Sequence, residues 1–255
     1  MDLRILGCHG GETPKHKTSS FLLDGKVAID AGAVTSMLSL EEQKNVETVL
    51  VSHAHLDHIK DLATLADNRC QQGGPTVNIV GVAETIRILR EHFFNDLLWP
   101  DFSRIPTPQG PTISFTTLEP ETPTELGDIS VKAVMVNHTI DTSAFVITTK
   151  DGAIAYSGDT GPTDNFWKEL SGTENLRALL MEVSFPDEHH QLAKVSGHHT
   201  PETLGKDLDK LRENRELPVL LYHIKPVFEA DVEKQLTAIR GRNMEICRLG
   251  DQFIL

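Results

Sequence analysis

The stretch His53-Ala54-His55-Leu56-Asp57-His58 constrains this chain more than any other. It follows the apolar run Thr48-Val49-Leu50-Val51 and precedes Ile59-Lys60-Asp61-Leu62, so it reads as a loop between a strand end and a helix start. Three imidazoles and a carboxylate offer the nitrogen and oxygen donors that borderline divalent metals such as zinc prefer. We read the stretch as a metal-binding loop. One such cluster cannot fill the coordination shells of two ions, so further ligands must come from elsewhere in the chain.

The 255 residues suffice for a sizeable core, as one large domain or two small ones. A formal net charge of -13 and a pI near 5.3 disfavour a protein that must grip a long polyanion. A small anion held by metal ions stays compatible with that acidity, because bound cations dominate the local field. Cys8, Cys70 and Cys247 form no CxxC pair, so buried or incidental thiols are expected rather than a disulfide framework or a cysteine zinc site. Residues 1 to 7 have strand character without an apolar signal core, and no stretch approaches the length of a membrane-spanning helix. A soluble, cytoplasmic protein is expected.

Asp24-Gly25 and Asp151-Gly152 each lie between apolar runs and predict two-residue hairpins. Strands are predicted over 47–52, 77–80, 113–118, 129–136, 144–149, 153–157, 176–183 and 217–222. Helices are predicted over 57–65 and 83–95, and from Pro201 to about Asn214 with Thr200 as N-cap. The proline- and threonine-rich segment 99–125 reads as a surface excursion that could line a cleft. Hairpins mixed with strand-helix units predict an α/β sandwich of mixed sheets.

One pattern recurs along this order. A strand ends and a His or Asp follows, at His53, His138, Asp159 and His223. Polar ligands at successive strand ends gather along one edge of a sandwich, on rigid elements. These residues are candidates for the missing ligands.

The HxHxDH loop, His138, Asp159 in Ser157-Gly158-Asp159-Thr160, and His223 together resemble the metallo-β-lactamase superfamily. The resemblance spans residues 30 to 223 and implies one hydrolase domain over 1–255 with a four-layered αββα sandwich. It places His53, His55 and His138 on one divalent ion and Asp57, His58 and His223 on a second, with Asp159 bridging. Zinc is the expected metal, with manganese or iron as alternatives. Such a pair of ions, about 3.5 to 4 Å apart, supplies a shared hydroxide as nucleophile at neutral pH.

Met181-Glu182-Val183-Ser184-Phe185-Pro186, Gly197-His198-His199-Thr200-Pro201 and His223-Ile224-Lys225-Pro226 narrow the resemblance to class II cyclic-nucleotide phosphodiesterases. Lys60 departs from that pattern, which usually has a small residue there. The implied reaction is hydrolysis of a 3',5'-cyclic nucleotide, cAMP or cGMP, to the 5'-nucleotide. His198 is the expected proton donor to the leaving oxygen, oriented by Glu182, with Asp57 joining them among the catalytic residues. His199 and Lys225 are expected to line the substrate pocket, Lys225 near phosphate. His9, His16, His189 and His190 are read as ordinary loop or surface histidines. Alternatives are a tRNase Z-like endoribonuclease, a hydrolase of another small ester, and a non-catalytic module that would have lost ligands. Neither a membrane nor a long nucleic acid is an expected partner, and a homodimer is left open.

Overall fold

Successive side chains of a strand point to opposite faces, so a strand apolar at every position must be covered on both. In Ser143–Thr149, Phe145 and Ile147 pack on one side while Ala144 and Val146 pack on the other, all buried. Leu176–Glu182 repeats the arrangement with Ala178 and Leu180 opposed to Leu179 and Met181. A second sheet on one side and helices on the other satisfy that demand. The computed structural model, which describes residues 1–211 and 215–255, has this form.

One seven-stranded sheet runs in the order Gln252–Ile254, Asp2–Gly7, Ser20–Leu23, Val27–Ile29, Thr48–Leu50, Val77–Val82, Ile113–Leu118. The other, also seven-stranded, runs Met244–Ile246, Val219–Tyr222, Leu176–Glu182, Gly152–Tyr156, Ser143–Thr149, Ile129–Met135, Thr124–Leu126. Both are mixed. Val27–Ile29 pairs antiparallel with Ser20–Leu23 and parallel with Thr48–Leu50, and Gly152–Tyr156 likewise has one antiparallel and one parallel neighbour.

Between the sheets, Leu3, Phe21 and Leu50 of the first meet Phe145, Tyr156 and Leu180 of the second. Helix Leu56–Gln72 covers the outside of the first sheet through Ile59, Leu62, Leu65 and Ala66. Helices Asn165–Ser171, Pro201–Leu208 and Glu229–Leu236 cover the second through Trp167, Leu204 and Val232. The layers are those of the expected αββα sandwich. Among the described residues no helix is long and apolar enough to cross a membrane.

Several boundaries differ from expectation. The helix predicted over 57–65 continues to Gln72, because Arg69 is an inward-facing residue whose guanidinium donates to the carbonyls of Gln43, Val46 and Pro75. The helix predicted over 83–95 is Ala83–Ile88, followed by a wider π turn, Leu89–Phe93, that sends both Leu89 and Phe93 into the core. The helix after Thr200 starts as expected, with the Thr200 hydroxyl accepting from the Thr203 N–H, but stops at Leu208. Its predicted end, Asn214, lies outside the described residues. Leu23 pairs with Val27, so the first hairpin turns on three residues, and Thr149 pairs with Gly152, so the second turns on Lys150 and Asp151. The 99–125 segment is only partly a surface excursion: Phe102 is buried, and Ile113–Leu118 completes the first sheet at its edge.

Arg69→Met is expected to lower the unfolding free energy by about 3 kcal/mol, because three carbonyls lose a charged donor. The denaturant midpoint at unchanged slope measures it.

Candidate metal centre and active site

The strand Thr48–Leu50 delivers Val51, Ser52 and His53 to one edge of the sandwich. His55 is the extended N-cap of the next helix (φ -70°, ψ 146°), and Asp57 and His58 lie in its first turn. Ile59, Leu62 and Leu65 pin that helix to the sheet, which fixes where the first turn points. Asp57 also sits at the positive end of the helix dipole.

The second sheet supplies the remaining groups from the ends of its strands. His138 follows Ile129–Met135, and its Nδ1 lies 2.9 Å from the Gly197 carbonyl. Gly197 has a left-handed φ of 67°, and a Cβ there would fall 2.8 Å from His138 Cα, so this approach requires glycine. Asp159 follows Gly152–Tyr156 after a turn at Gly158 (φ 60°). His223 follows Val219–Tyr222 and itself takes a left-handed φ of 70°, a strained conformation for a residue with a branched-out ring. Its N–H donates to the Cys8 carbonyl at 2.7 Å, which helps hold it there.

These residues converge in two groups. His53 Nε2 and His138 Nε2 lie 2.9 and 3.2 Å from His55 Nδ1. His58 Nε2 and His223 Nε2 each lie 3.2 Å from Asp159 Oδ2, and His223 Nε2 is 3.4 Å from Asp57 Oδ2. Asp159 Oδ2 is also 3.8 Å from His53 Nε2, so this carboxylate stands between the two groups.

The donor set fits divalent cations on its own chemistry. The Nδ1 atoms of His53, His58, His138 and His223 are occupied by Ser52 Oγ, Asp30 Oδ2, the Gly197 carbonyl and Ser184 Oγ. That turns the Nε2 atoms toward one another and the carboxylates, an arrangement that tightly held imidazole ligands share. Asp159 Oδ1 and His223 Nε2 are buried without a hydrogen-bond partner. Burial together with the neighbouring rings pushes His53 well below its ordinary pKa, which keeps its nitrogen free. Burial would raise Asp159, but the His223 and His58 rings outweigh it and hold the carboxyl well below its usual range.

Two supporting residues escaped the sequence reading. Asp30, treated there only as a strand end, is fully buried with φ 55°. Its carboxylate accepts from the Ser52 N–H (2.8 Å), Ser52 Oγ (2.8 Å) and the Tyr156 hydroxyl (2.5 Å), and it meets His58 Nδ1 at 2.7 Å. Ser184 links His223 Nδ1 to Glu182 Oε2, 3.1 Å away. Asp30 carried a usable signal, since it too is an acid directly after a strand; Ser184 carried none beyond its motif.

Glu182 and His198 are adjacent, with Glu182 Oε1 2.9 Å from His198 Nδ1. Glu182 also accepts from the backbone N–H groups of Thr160 (3.0 Å) and His199 (3.3 Å). Burial, aided by the Asp159 charge, pushes Glu182 up to about 8, and burial pushes His198 down to about 4. Both shifts disfavour charge on the pair. His198 lies within reach of His138 and Asp159, and its ring stacks at 5.2 Å on that of His223. Lys225 is half-buried nearby, and its charge further depresses His198 and His223.

His199 sits elsewhere. Its ring is fully buried, with Nδ1 3.0 Å from Thr203 Oγ1 and Nε2 3.7 Å from Asp207, under the helix Pro201–Leu208. His189 and His190 are exposed. His9 is not a loose loop residue: it is buried, and it packs edge-on against His16 at 4.6 Å.

Two sheets between helical layers, with His and Asp side chains gathered at strand ends along one edge, define the metallo-β-lactamase fold. The chain belongs to that superfamily: the family model described as a beta-lactamase superfamily domain matches residues 27–224. Among curated relatives, a probable 3',5'-cyclic-nucleotide phosphodiesterase of Yersinia pestis is 29% identical over 241 residues, covering 84% of this chain and 66% of that protein. The structure of unliganded yeast PDE1 superposes with a TM-score of 0.84 at 18% identity, covering 100% of this chain and 99% of that one. Human tRNase Z, short form, superposes with a TM-score of 0.75 at 17% identity, again over 100% and 99%. At those identities the two structures establish the fold alone.

Asp30→Asn is expected to weaken zinc affinity about 10- to 100-fold, because it removes the carboxylate that orients His58 and the metal loop. Competition with a chromophoric chelator measures the change.

Proposed function

We propose that the chain is a metal-dependent phosphodiesterase that hydrolyses a 3',5'-cyclic nucleotide, cAMP or cGMP, to the 5'-nucleotide. The observation that carries this reading is the buried Glu182 and His198 pair set beside the His and Asp cluster, a proton store that simple ligand binding would not need. The similarity to the Yersinia pestis relative, named for that activity, supports the same reading, although this chain spans about two thirds of its length.

His53, His55 and His138 would hold one divalent ion and Asp57, His58 and His223 a second, with Asp159 shared; zinc best suits this donor set. Ions held there would supply Lewis acidity toward phosphoryl oxygens and a water acidic enough to act as nucleophile near neutral pH. The chain's own residues do the rest. Asp57 and Asp159 anchor one side of the site, and Lys225 offers a cation to a non-bridging phosphate oxygen. Glu182 holds His198 through Nδ1, so Nε2 is the nitrogen left to face the site. From it the proton passes to the departing sugar oxygen, and the Glu182 contact steadies the ring through the change of protonation. Ser184 keeps that pair in register with His223. His199 is assigned to bracing the helix Pro201–Leu208 through Thr203 and Asp207 rather than to touching substrate.

A small substrate agrees with the net charge of -13, which opposes a long nucleic acid. Three free cysteines suit a reducing, cytoplasmic setting.

A side-by-side assay of cAMP, cGMP, a bis(aryl) phosphodiester and precursor tRNA tests the substrate. Turnover of a cyclic nucleotide is expected to exceed the others, and cleavage of precursor tRNA without it would reverse the reading in favour of an endoribonuclease. His198→Ala is expected to lower cyclic-nucleotide kcat about 100-fold or more while metal content stays unchanged. The same variant should cleave the bis(aryl) phosphodiester nearly as well as the native chain, because an aryloxide leaves without a proton. An equal loss on both substrates would remove His198 from the role of acid.

A further inference from the structure

Beyond the Asp159 cluster, three groups able to act as metal ligands meet. One ring nitrogen of His9, one of His16 and a carboxylate oxygen of Glu229 all lie within 4.8 Å of one another. His16 Nδ1 is 2.5 Å from the Thr13 hydroxyl oxygen, which fixes the ring and turns Nε2 toward Glu229. His9 Nδ1 lies 3.3 Å from the Lys17 carbonyl, which can only accept. Both imidazoles are thus held through Nδ1 by fixed oxygens, an anchoring that metal-bound histidines share. His16 Nε2 and Glu229 Oε2 are 3.4 Å apart, matching the spacing of about 3.3 Å between ligands about 2.0 to 2.1 Å from a tetrahedral zinc. Arg248 engages the other Glu229 oxygen, Oε1, so Oε2 is the oxygen that faces His16.

We propose that His9, His16 and Glu229 form a further divalent-cation site, of zinc-like preference, with three protein ligands and an open fourth position. Its place gives it a role. The loop carrying His9 runs alongside residues 222–224: the Cys8 carbonyl accepts from the His223 N–H, and the Gly10 N–H donates to the Ile224 carbonyl. A Cβ on Gly10 would lie 2.5 Å from the His223 carbonyl, so that loop is packed directly on the strained residue. Glu229 opens the helix Glu229–Leu236, which follows the same segment in the chain. A cation there cross-links the loop that packs on His223 to the helix that follows it.

The test counts metal in the full chain. The protein is stripped with a chelator, dialysed against zinc, and analysed by mass spectrometry of the elements. The native chain is expected to retain one zinc more than His16→Asn and one more than Glu229→Gln, two half-buried positions on different elements. Asp159→Ala, which disturbs the other cluster, is expected to lose zinc of its own and then one further equivalent when combined with Glu229→Gln. Equal zinc in the native chain and both single variants overturns the proposal and leaves His16 and Glu229 as an ordinary ion pair. Because the count at His16 and Glu229 is read against both backgrounds, its failure is distinct from any failure at Asp159.

Discussion

The Asp30 carboxylate is the point on which the rest of the site depends. It lies at the end of one strand, bonds the backbone and hydroxyl of Ser52 at the end of another, and reaches Tyr156 in the opposite sheet. One buried charge therefore fixes the spacing of the two sheets at the edge where the ligands emerge. It also meets His58 Nδ1, so the same group that joins the layers orients a ring in the cluster. An uncompensated carboxylate in this position would be costly, and its four partners supply the compensation. Stability and ligand geometry are thereby coupled: the site cannot loosen without unpairing a buried acid.

Much of this was legible in the sequence because strands report their ends. Alternating or continuous apolar runs locate the strands, and a His or Asp placed just after such a run must appear at the sheet edge; His53, His138, Asp159 and His223 are all found this way. Asp30 obeys the same rule and was passed over because Asp-Ala-Gly also reads as an ordinary turn. The left-handed backbone at His223 was invisible, since nothing in the letter His announces it. Helix ends were obscured wherever charge lies inward: Arg69 looks like a solvent residue until the three carbonyls around it are seen. His9, His16 and Glu229 could not be joined from sequence, because more than two hundred positions separate the loop from the helix and no motif marks them.

The fold does not decide the reaction, since superposable chains include both yeast PDE1 and a tRNase Z. What distinguishes chemistry is the protein's own field at the cluster. Asp30, Asp57, Asp159 and Glu182 crowd around the histidines, and Asp159 with Asp30 holds His58 well above its ordinary pKa, which offsets part of their charge. Burial answers a further part by opposing ionisation of Glu182. Divalent cations held by the donor set would answer the rest and give a field that attracts phosphate. Cation binding and binding of an anionic ester are then one linked equilibrium, with each favouring the other by the same factor. On the proposed phosphodiesterase reading, the Glu182 and His198 pair is the source of the proton that a leaving alkoxide needs. The acidity that disfavours long nucleic acids in this chain would then, within a few ångströms of Asp159, serve to concentrate cations.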